Sequence, residues 1–267
     1  MSLRMSLRTH ARMHERLRLH AGARASASVS AGARTGLRAL LAALLALALA
    51  ACGDAATNAT PAQPAADAPN AADAATRAPA PVPDRTVLVM GDSLSAGYGL
   101  QLEEGWVALT ADRIAEAHPR WRVVNASISG ETTAGGAARI GAALERHTPD
   151  IVVIELGGND GLRGLSLQQT RDNLEAMIRA AQAADARVLL VGMRIPPNYG
   201  PDYTAGFEAN FRELAEQYGT AFLPFLLEPI AMDDTAFQSD RIHPTAEAQP
   251  ALRDHVWPVL EPMLQIP

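Results

Sequence analysis

The sequence predicts a three-layer α/β/α domain built on a parallel sheet of about five strands. Three observations carry this expectation. From residue 85 onward, short apolar runs alternate with helical patterns, the order expected of a parallel sheet with right-handed crossovers. The apolar runs are continuous rather than alternating, as strands buried on both faces require. The stretch 85–267 is also long enough for one hydrophobic core.

Taken in chain order, residues 1–38 hold eight arginines and one acid, Glu15, and residues 39–51 are an unbroken run of thirteen alanines and leucines ending before Cys52. A basic segment, a short apolar segment and small residues before a cut site describe a secretory signal over 1–51. Thirteen apolar residues fall short of the ~20 that a transmembrane helix needs. After Cys52, residues 53–84 are mostly Ala, Pro, Asp, Asn and Thr with almost no large apolar side chain. Such a composition cannot offset chain entropy, so 52–84 reads as a flexible tether. In the domain, strands are predicted at 86–90, 122–126, 151–156, 187–191 and 221–225. Helices are predicted at 106–117, 134–146, 167–184, 207–218 and 246–263, the last made irregular by Pro250 and Pro258.

Charge and cysteine usage exclude some classes. All 23 basic residues are arginine; with the leader go eight of them and one of the 29 acids, leaving 15 against 28, a net charge of −13. A chain this acidic is poorly suited to nucleic acid or anionic headgroups. Cys52 is the single cysteine, so the domain can hold neither a disulfide nor a cysteine nucleophile.

The strand ends carry the chemistry. In a parallel sheet, the residues just past each strand gather on one edge, where ligands bind in open α/β folds. Ser93 follows the first strand in Gly91-Asp92-Ser93-Leu94-Ser95, Ser129-Gly130 follows the second, Gly157-Gly158-Asn159-Asp160 follows the third, and Asp240-Arg241-Ile242-His243-Pro244 follows the fifth. A serine hydroxyl needs a base, and His243 is the candidate. Asp240 can face the remote imidazole nitrogen if the segment turns tightly, which holds the tautomer. Gly130 offers an unobstructed backbone N–H, Asn159 a side-chain amide and Ser93 its own N–H, three donors for a developing oxyanion. The nucleophile elbow G-x-S-x-G is absent. Asp92 and Asp160 read as braces of their loops. His118, His147 and His255 fall on predicted helix faces or ends and are expected in solvent. Leu162, Ile195, Pro196, Tyr199 and Ile242 lie beside the same edge as candidates for an acyl pocket.

These four blocks, with the longer strings Asn125–Gly130, Gly158–Gly164 and Leu223-Pro224-Phe225, resemble the SGNH hydrolases, also called GDSL esterases, and within them the periplasmic acyl thioesterase I/lysophospholipase/arylesterase branch. The resemblance covers 86–264. It implies a flavodoxin-like sheet, Ser93 as nucleophile, Asp240 and His243 as its partners, Gly130 and Asn159 as oxyanion donors, and no metal or organic cofactor. The implied substrates are small esters, thioesters or lysophospholipids; the chain is expected to be a monomer. Arg241 departs from the branch, which usually has glycine there.

Leu49-Ala50-Ala51-Cys52 is similar to a bacterial lipobox. It implies a lipidated Cys52 and a cell-envelope lipoprotein, with Gly53 favouring the outer membrane and a periplasmic face. An ordinary signal cleaved near Ala51, giving a soluble periplasmic or secreted protein, is the alternative. For the domain itself two rivals stand beside an ester hydrolase with an acyl-enzyme on Ser93. One is a carbohydrate O-acetylesterase, and the other is a non-catalytic envelope-binding lipoprotein. Asp240 and His243 as metal ligands would need further partners, and no other His/Asp cluster in the sequence supplies them.

Overall fold

The computed structural model describes residues 82–265. The predicted leader, Cys52 and the tether up to residue 81 lie outside the described residues. Five strands, β1 (Arg85–Gly91), β2 (Trp121–Asn125), β3 (Ile151–Glu155), β4 (Arg187–Val191) and β5 (Ala221–Leu223), form one sheet. Every neighbouring pair is parallel and the order is β2-β1-β3-β4-β5, the flavodoxin-like arrangement. The predicted strands stand to within one or two residues. The fifth stops at Leu223 instead of 225, where Pro224 has no N–H to offer the ladder.

Burial explains the order. β1 and β3 occupy central positions, and Val87 through Met90 and Ile151 through Ile154 are all buried. Each large side chain removed from water there contributes about 1.5–3 kcal/mol. The edge strands β2 and β5 are only partly covered.

The helices are α1 (Ser93–Ala96), α2 (Trp106–Ala117), α3 (Thr133–His147), α4 (Gly158–Leu162), α5 (Leu167–Ala183), α6 (Pro201–Tyr218) and α7 (Gln249–Leu264). α2 pairs with α7, while α3, α5 and α6 stand side by side. α6 begins six residues before the predicted 207, because Pro201 is pre-set for a first helical turn and Asp202 favours its positive end. A 3-10 turn, Ala246–Ala248, precedes α7, which runs through Pro258 and Pro262. None of the described helices is long and apolar enough to cross a membrane.

This topology positions the site. The chain leaves β1 for β2 on one side and reaches β3 on the other, so the strand order reverses at β1. The loops after β1 and β3 open onto the crevice there, and a parallel register sets Gly91 beside Glu155 at its floor.

Candidate active site

The turn after β1 builds the centre of the site. Asp92 caps α1: its Oδ1 accepts the Leu94 N–H at 3.0 Å. Ser93 is therefore the first residue of a helical turn, where backbone N–H groups have no intrahelical partner. Gly91 is required by packing, since a Cβ there would lie 2.6 Å from the Ser95 hydroxyl and 2.9 Å from Glu155 Oε2. Those two groups bond each other beneath the turn, Ser95 Oγ donating to Glu155 Oε2 at 2.7 Å.

The candidate base, His243, arrives on the loop after β5. His243 Nε2 lies 2.8 Å from Ser93 Oγ, and His243 Nδ1 lies 2.7 Å from Asp240 Oδ2. The tight turn expected of this segment is present. Asp240 Oδ1 accepts the N–H groups of Ile242 at 3.0 Å and His243 at 3.1 Å, and Arg241 takes φ 60° between them. Glycine adopts that backbone freely, which gives a physical reason for the glycine usual at this place in the branch. Gln238 N–H donates to the His243 carbonyl at 2.7 Å, and the Gln238 amide donates to the carbonyls of Tyr98 at 2.8 Å and Pro244 at 3.0 Å. Phe237 and Pro244 form an antiparallel bridge. The Tyr98 ring lies 4.4 Å from the His243 ring, centroid to centroid.

The donors converge from two further loops. Asn159 Nδ2 donates one hydrogen to Asp92 Oδ2 at 3.1 Å, leaving its second for the cavity. Arg163 Nη2 donates to the Gly130 carbonyl at 3.1 Å and approaches Asn159 Oδ1 at 3.4 Å, so one guanidinium ties the loops after β2 and β3. Gly130 stands at φ 80°. Among the described residues neither the Ser93 nor the Gly130 N–H has a hydrogen-bond partner. Asp160 is a brace, as expected: its carboxylate accepts the Thr133 N–H at 2.9 Å and the Thr133 hydroxyl at 2.6 Å.

Charge is arranged unevenly. The hydrogen bond from His243, then the two backbone N–H groups, hold Asp240 down to about 2, so it is ionised at neutral pH. Burial pushes Asp92 up to about 6, against the Leu94 N–H and the Asn159 amide. Burial and then the Asp92 charge push Glu155 well above the ordinary carboxylate range.

Ser93, Asn159, Gly130 and His243 share a cavity of about 550 Å³. Of the predicted pocket residues Leu162, Ile195, Pro196 and Ile242 line it and Tyr199 does not. Tyr199 sits in a 3-10 turn, its hydroxyl donating to the Leu162 carbonyl at 2.7 Å and its ring stacked on Tyr203. It supports the wall from behind. Met193, Phe225, Phe237 and Tyr98 add to the apolar lining. His255, expected in solvent, is half-buried, with Nε2 3.0 Å from the Phe225 carbonyl. Sequence reasoning missed Glu155 and Tyr98. For Glu155 the signal was present, a lone acid ending an apolar strand. Tyr98 had no local signal.

Comparison with known proteins identifies the family. The profile of the GDSL-like lipase/acylhydrolase family matches residues 89–250. The chain is 50% identical over 180 residues to esterase TesA of Pseudomonas aeruginosa, covering 67% of this chain and 90% of that one. It is 42% identical over 179 residues to the thioesterase 1/protease 1/lysophospholipase L1 of Escherichia coli, covering 67% of this chain and 85% of that one. Among solved structures, a crystal structure of TesA superposes with a TM-score of 0.65 at 50% identity, covering 67% of this chain and 99% of that one. The psychrotrophic esterase EstA from Pseudoalteromonas, inhibited by monoethylphosphonate, gives a TM-score of 0.65 at 42% identity, with 68% and 99% covered.

Proposed function

Since the chain belongs to the GDSL-like lipase/acylhydrolase family and is an ester hydrolase, we propose that it cleaves carboxylic ester or thioester bonds through an acyl-enzyme on Ser93. The observation that carries this reading is the continuous relay Asp240 Oδ2–His243–Ser93 Oγ, with links of 2.7 and 2.8 Å. Ser93 Oγ attacks the carbonyl carbon while His243 Nε2 takes its proton. Asp240, ionised, orients the imidazole and stabilises its charged form. The Ser93 N–H, the Gly130 N–H and the free Asn159 amide hydrogen face the oxygen as its charge develops. Collapse of the tetrahedral intermediate expels the alcohol or thiol, which receives the proton from His243. Water, deprotonated by the same nitrogen, then releases the acid and regenerates the Ser93 hydroxyl.

The cavity supports a substrate with an acyl chain longer than acetate. Its volume lies in the ~300–1,000 Å³ range of small-molecule sites, and Leu162, Ile195 and Phe225 are among the apolar side chains that line it. Medium acyl thioesters and lysophospholipids meet this requirement, as do aryl esters of acids longer than acetic acid. The test is hydrolysis of p-nitrophenyl esters from acetate to dodecanoate by the chain from Gly53 onward, beside Ser93→Ala. The reading predicts rates rising beyond acetate and loss of all of them in the variant. A sharp preference for acetate would favour the O-acetylesterase alternative.

The reading places the enzyme in a bacterial envelope, facing the periplasm and anchored by lipid on Cys52. The support is the sequence Leu49-Ala50-Ala51-Cys52 after a basic and apolar leader. Two or more acyl chains give stable anchoring where one is marginal. Cys52→Ser is expected to move the protein from the membrane fraction to the soluble fraction, and an unchanged distribution would contradict the anchor.

A further inference from the structure

The large apolar side chains that the domain leaves in water are not spread over its surface. Apart from Val82, at the start of the described chain, those among the described residues stand in the segments that follow the strands at the carboxyl edge. Tyr98 and Leu102 follow β1, Ile128 follows β2, Leu162 and its neighbour three residues on follow β3, and Met232 and Ile242 follow β5. None lies on the outer face of α2, α3, α5, α6 or α7. Isolated exposed apolar residues are ordinary on a soluble surface, whereas a set gathered on one edge marks an interaction site. Leu102 is 92% exposed and Met232 98% exposed, so neither serves the core.

Part of the set borders the cavity. Tyr98, Leu162 and Ile242 form part of its wall, and Met232 adjoins Ala231, which also lines it. The Gln238 amide, bonded to the carbonyls of Tyr98 and Pro244, joins the loop bearing Leu102 to the loop bearing Ile242. This placement decides the kind of partner. A protein seated on the rim, including a second copy of the chain, would cover the opening to Ser93 and stop turnover. A lipid surface would deliver acyl chains through that opening. Glu103, Glu104, Asp233 and Asp234 stand beside Leu102 and Met232, while the exposed Arg194 and Arg241 line the cavity, so the rim carries both signs and suits a zwitterionic rather than an anionic surface.

We propose that this rim docks the domain on a zwitterionic lipid surface, a bilayer or micelle, with Leu102 and Met232 inserted at the headgroup boundary and the cavity mouth turned toward the acyl chains. The proposal rests on the ester-hydrolase reading for what enters the cavity, whereas docking is read without turnover.

The test uses the chain from Gly53 onward, so that neither the leader nor Cys52 contributes. The solved relative that this chain covers to 99% has the extent of the domain alone. Native protein and Leu102→Glu/Met232→Glu are sedimented with phosphatidylcholine vesicles containing lysophosphatidylcholine. Both side chains are exposed, so folding is not at stake, and circular dichroism checks it. The expected result is that native protein sediments with the vesicles, while the variant partitions about tenfold less or weaker still. Hydrolysis of vesicle-borne lysophosphatidylcholine falls in parallel, and p-nitrophenyl butyrate hydrolysis stays within about twofold. Equal partitioning of the two proteins, or none by either, would overturn the proposal. So would native binding confined to phosphatidylglycerol vesicles, or a native dimer that the variant splits. Native protein inactive on p-nitrophenyl butyrate would contradict the ester-hydrolase reading, and sedimentation would still decide docking.

Discussion

The candidate nucleophile and the candidate base meet from loops of opposite character. The turn after β1 is sunk in the core: Asp92 and Ser95 are buried, and Glu155 beneath them is 1% exposed. The loop after β5 lies at the surface, where the Asp240 side chain is 38% exposed and Arg241 adopts a left-handed backbone. Ser93 is placed by close packing and by buried carboxyls that the core must tolerate. His243 is placed by local turn chemistry, with the Asp240 carboxylate, two backbone N–H groups and the Gln238 amide doing the holding. The difference teaches that activity and stability are joined in the first loop and separable in the second.

The largest test of that comparison removes the reacting groups. Ser93→Ala and His243→Ala are each expected to lower kcat by about 10⁴ or more, with little change in thermal unfolding for His243→Ala. A residual rate within tenfold of native in either variant would break the pairing. Next comes Asn159→Ala, which deletes one oxyanion donor. The expected loss in kcat is about 10²–10³, with KM nearly unchanged in steady-state kinetics.

Asp92→Asn sharpens the contrast, because it acts through Asn159. A hydrogen bond to a charged group is worth about 1.5–3 kcal/mol, so kcat should fall roughly ten- to hundredfold. Stability should move as well. Asp92 has a folded pKa of about 6 against an ordinary 3.8, so the folded state holds the proton more tightly. Stability contributed by this group therefore declines as pH rises from about 4 to 6 and levels off above. Urea unfolding across that window should show the decline in the native protein and a smaller one in Asp92→Asn. Asp240 has the opposite sign. Its pKa, lowered to about 2, gives a contribution that is present above the ordinary value and lost only as pH falls toward 2.

The smallest effect belongs to the exposed loop. Arg241→Gly relieves a left-handed non-glycine backbone and loosens the unfolded chain, two terms of opposite sign. A net gain of about 1 kcal/mol or less is expected, a Tm rise of no more than about 2–4 °C, with the Ser93–His243 relay intact and kcat on p-nitrophenyl butyrate near native. A large loss of kcat would show that this loop, too, couples stability to catalysis.

The same contrast explains what was legible in the sequence. Apolar runs such as Val87 to Met90 and Ile151 to Ile154 announce central strands because burial on both faces leaves no room for polar residues. The four loop blocks could be read because each carries its chemistry in adjacent residues. Glu155 was absorbed into an apolar run, since its role depends on Ser95 and Asp92 from the turn after β1. Tyr98 meets His243 across a long stretch of chain, with nothing local to announce it. Tyr199 was placed on the wrong side of the wall, because proximity to the edge does not tell which way a ring turns. The first turns of α6 escaped because residues 201–206 offer no apolar periodicity, although Pro201 and Asp202 mark a helix start.

The central claim is that Ser93 is the acylated nucleophile, made reactive by His243. The most direct measurement is mass spectrometry of the protein inactivated by an alkylphosphonate ester with a p-nitrophenol leaving group. Attack by Ser93 Oγ on phosphorus expels p-nitrophenolate and leaves a stable phosphonyl ester. The account predicts one adduct per chain, on the peptide containing Ser93, formed in step with loss of esterase activity and absent from both Ser93→Ala and His243→Ala. An adduct on another residue, or inactivation that proceeds equally in Ser93→Ala, would contradict it.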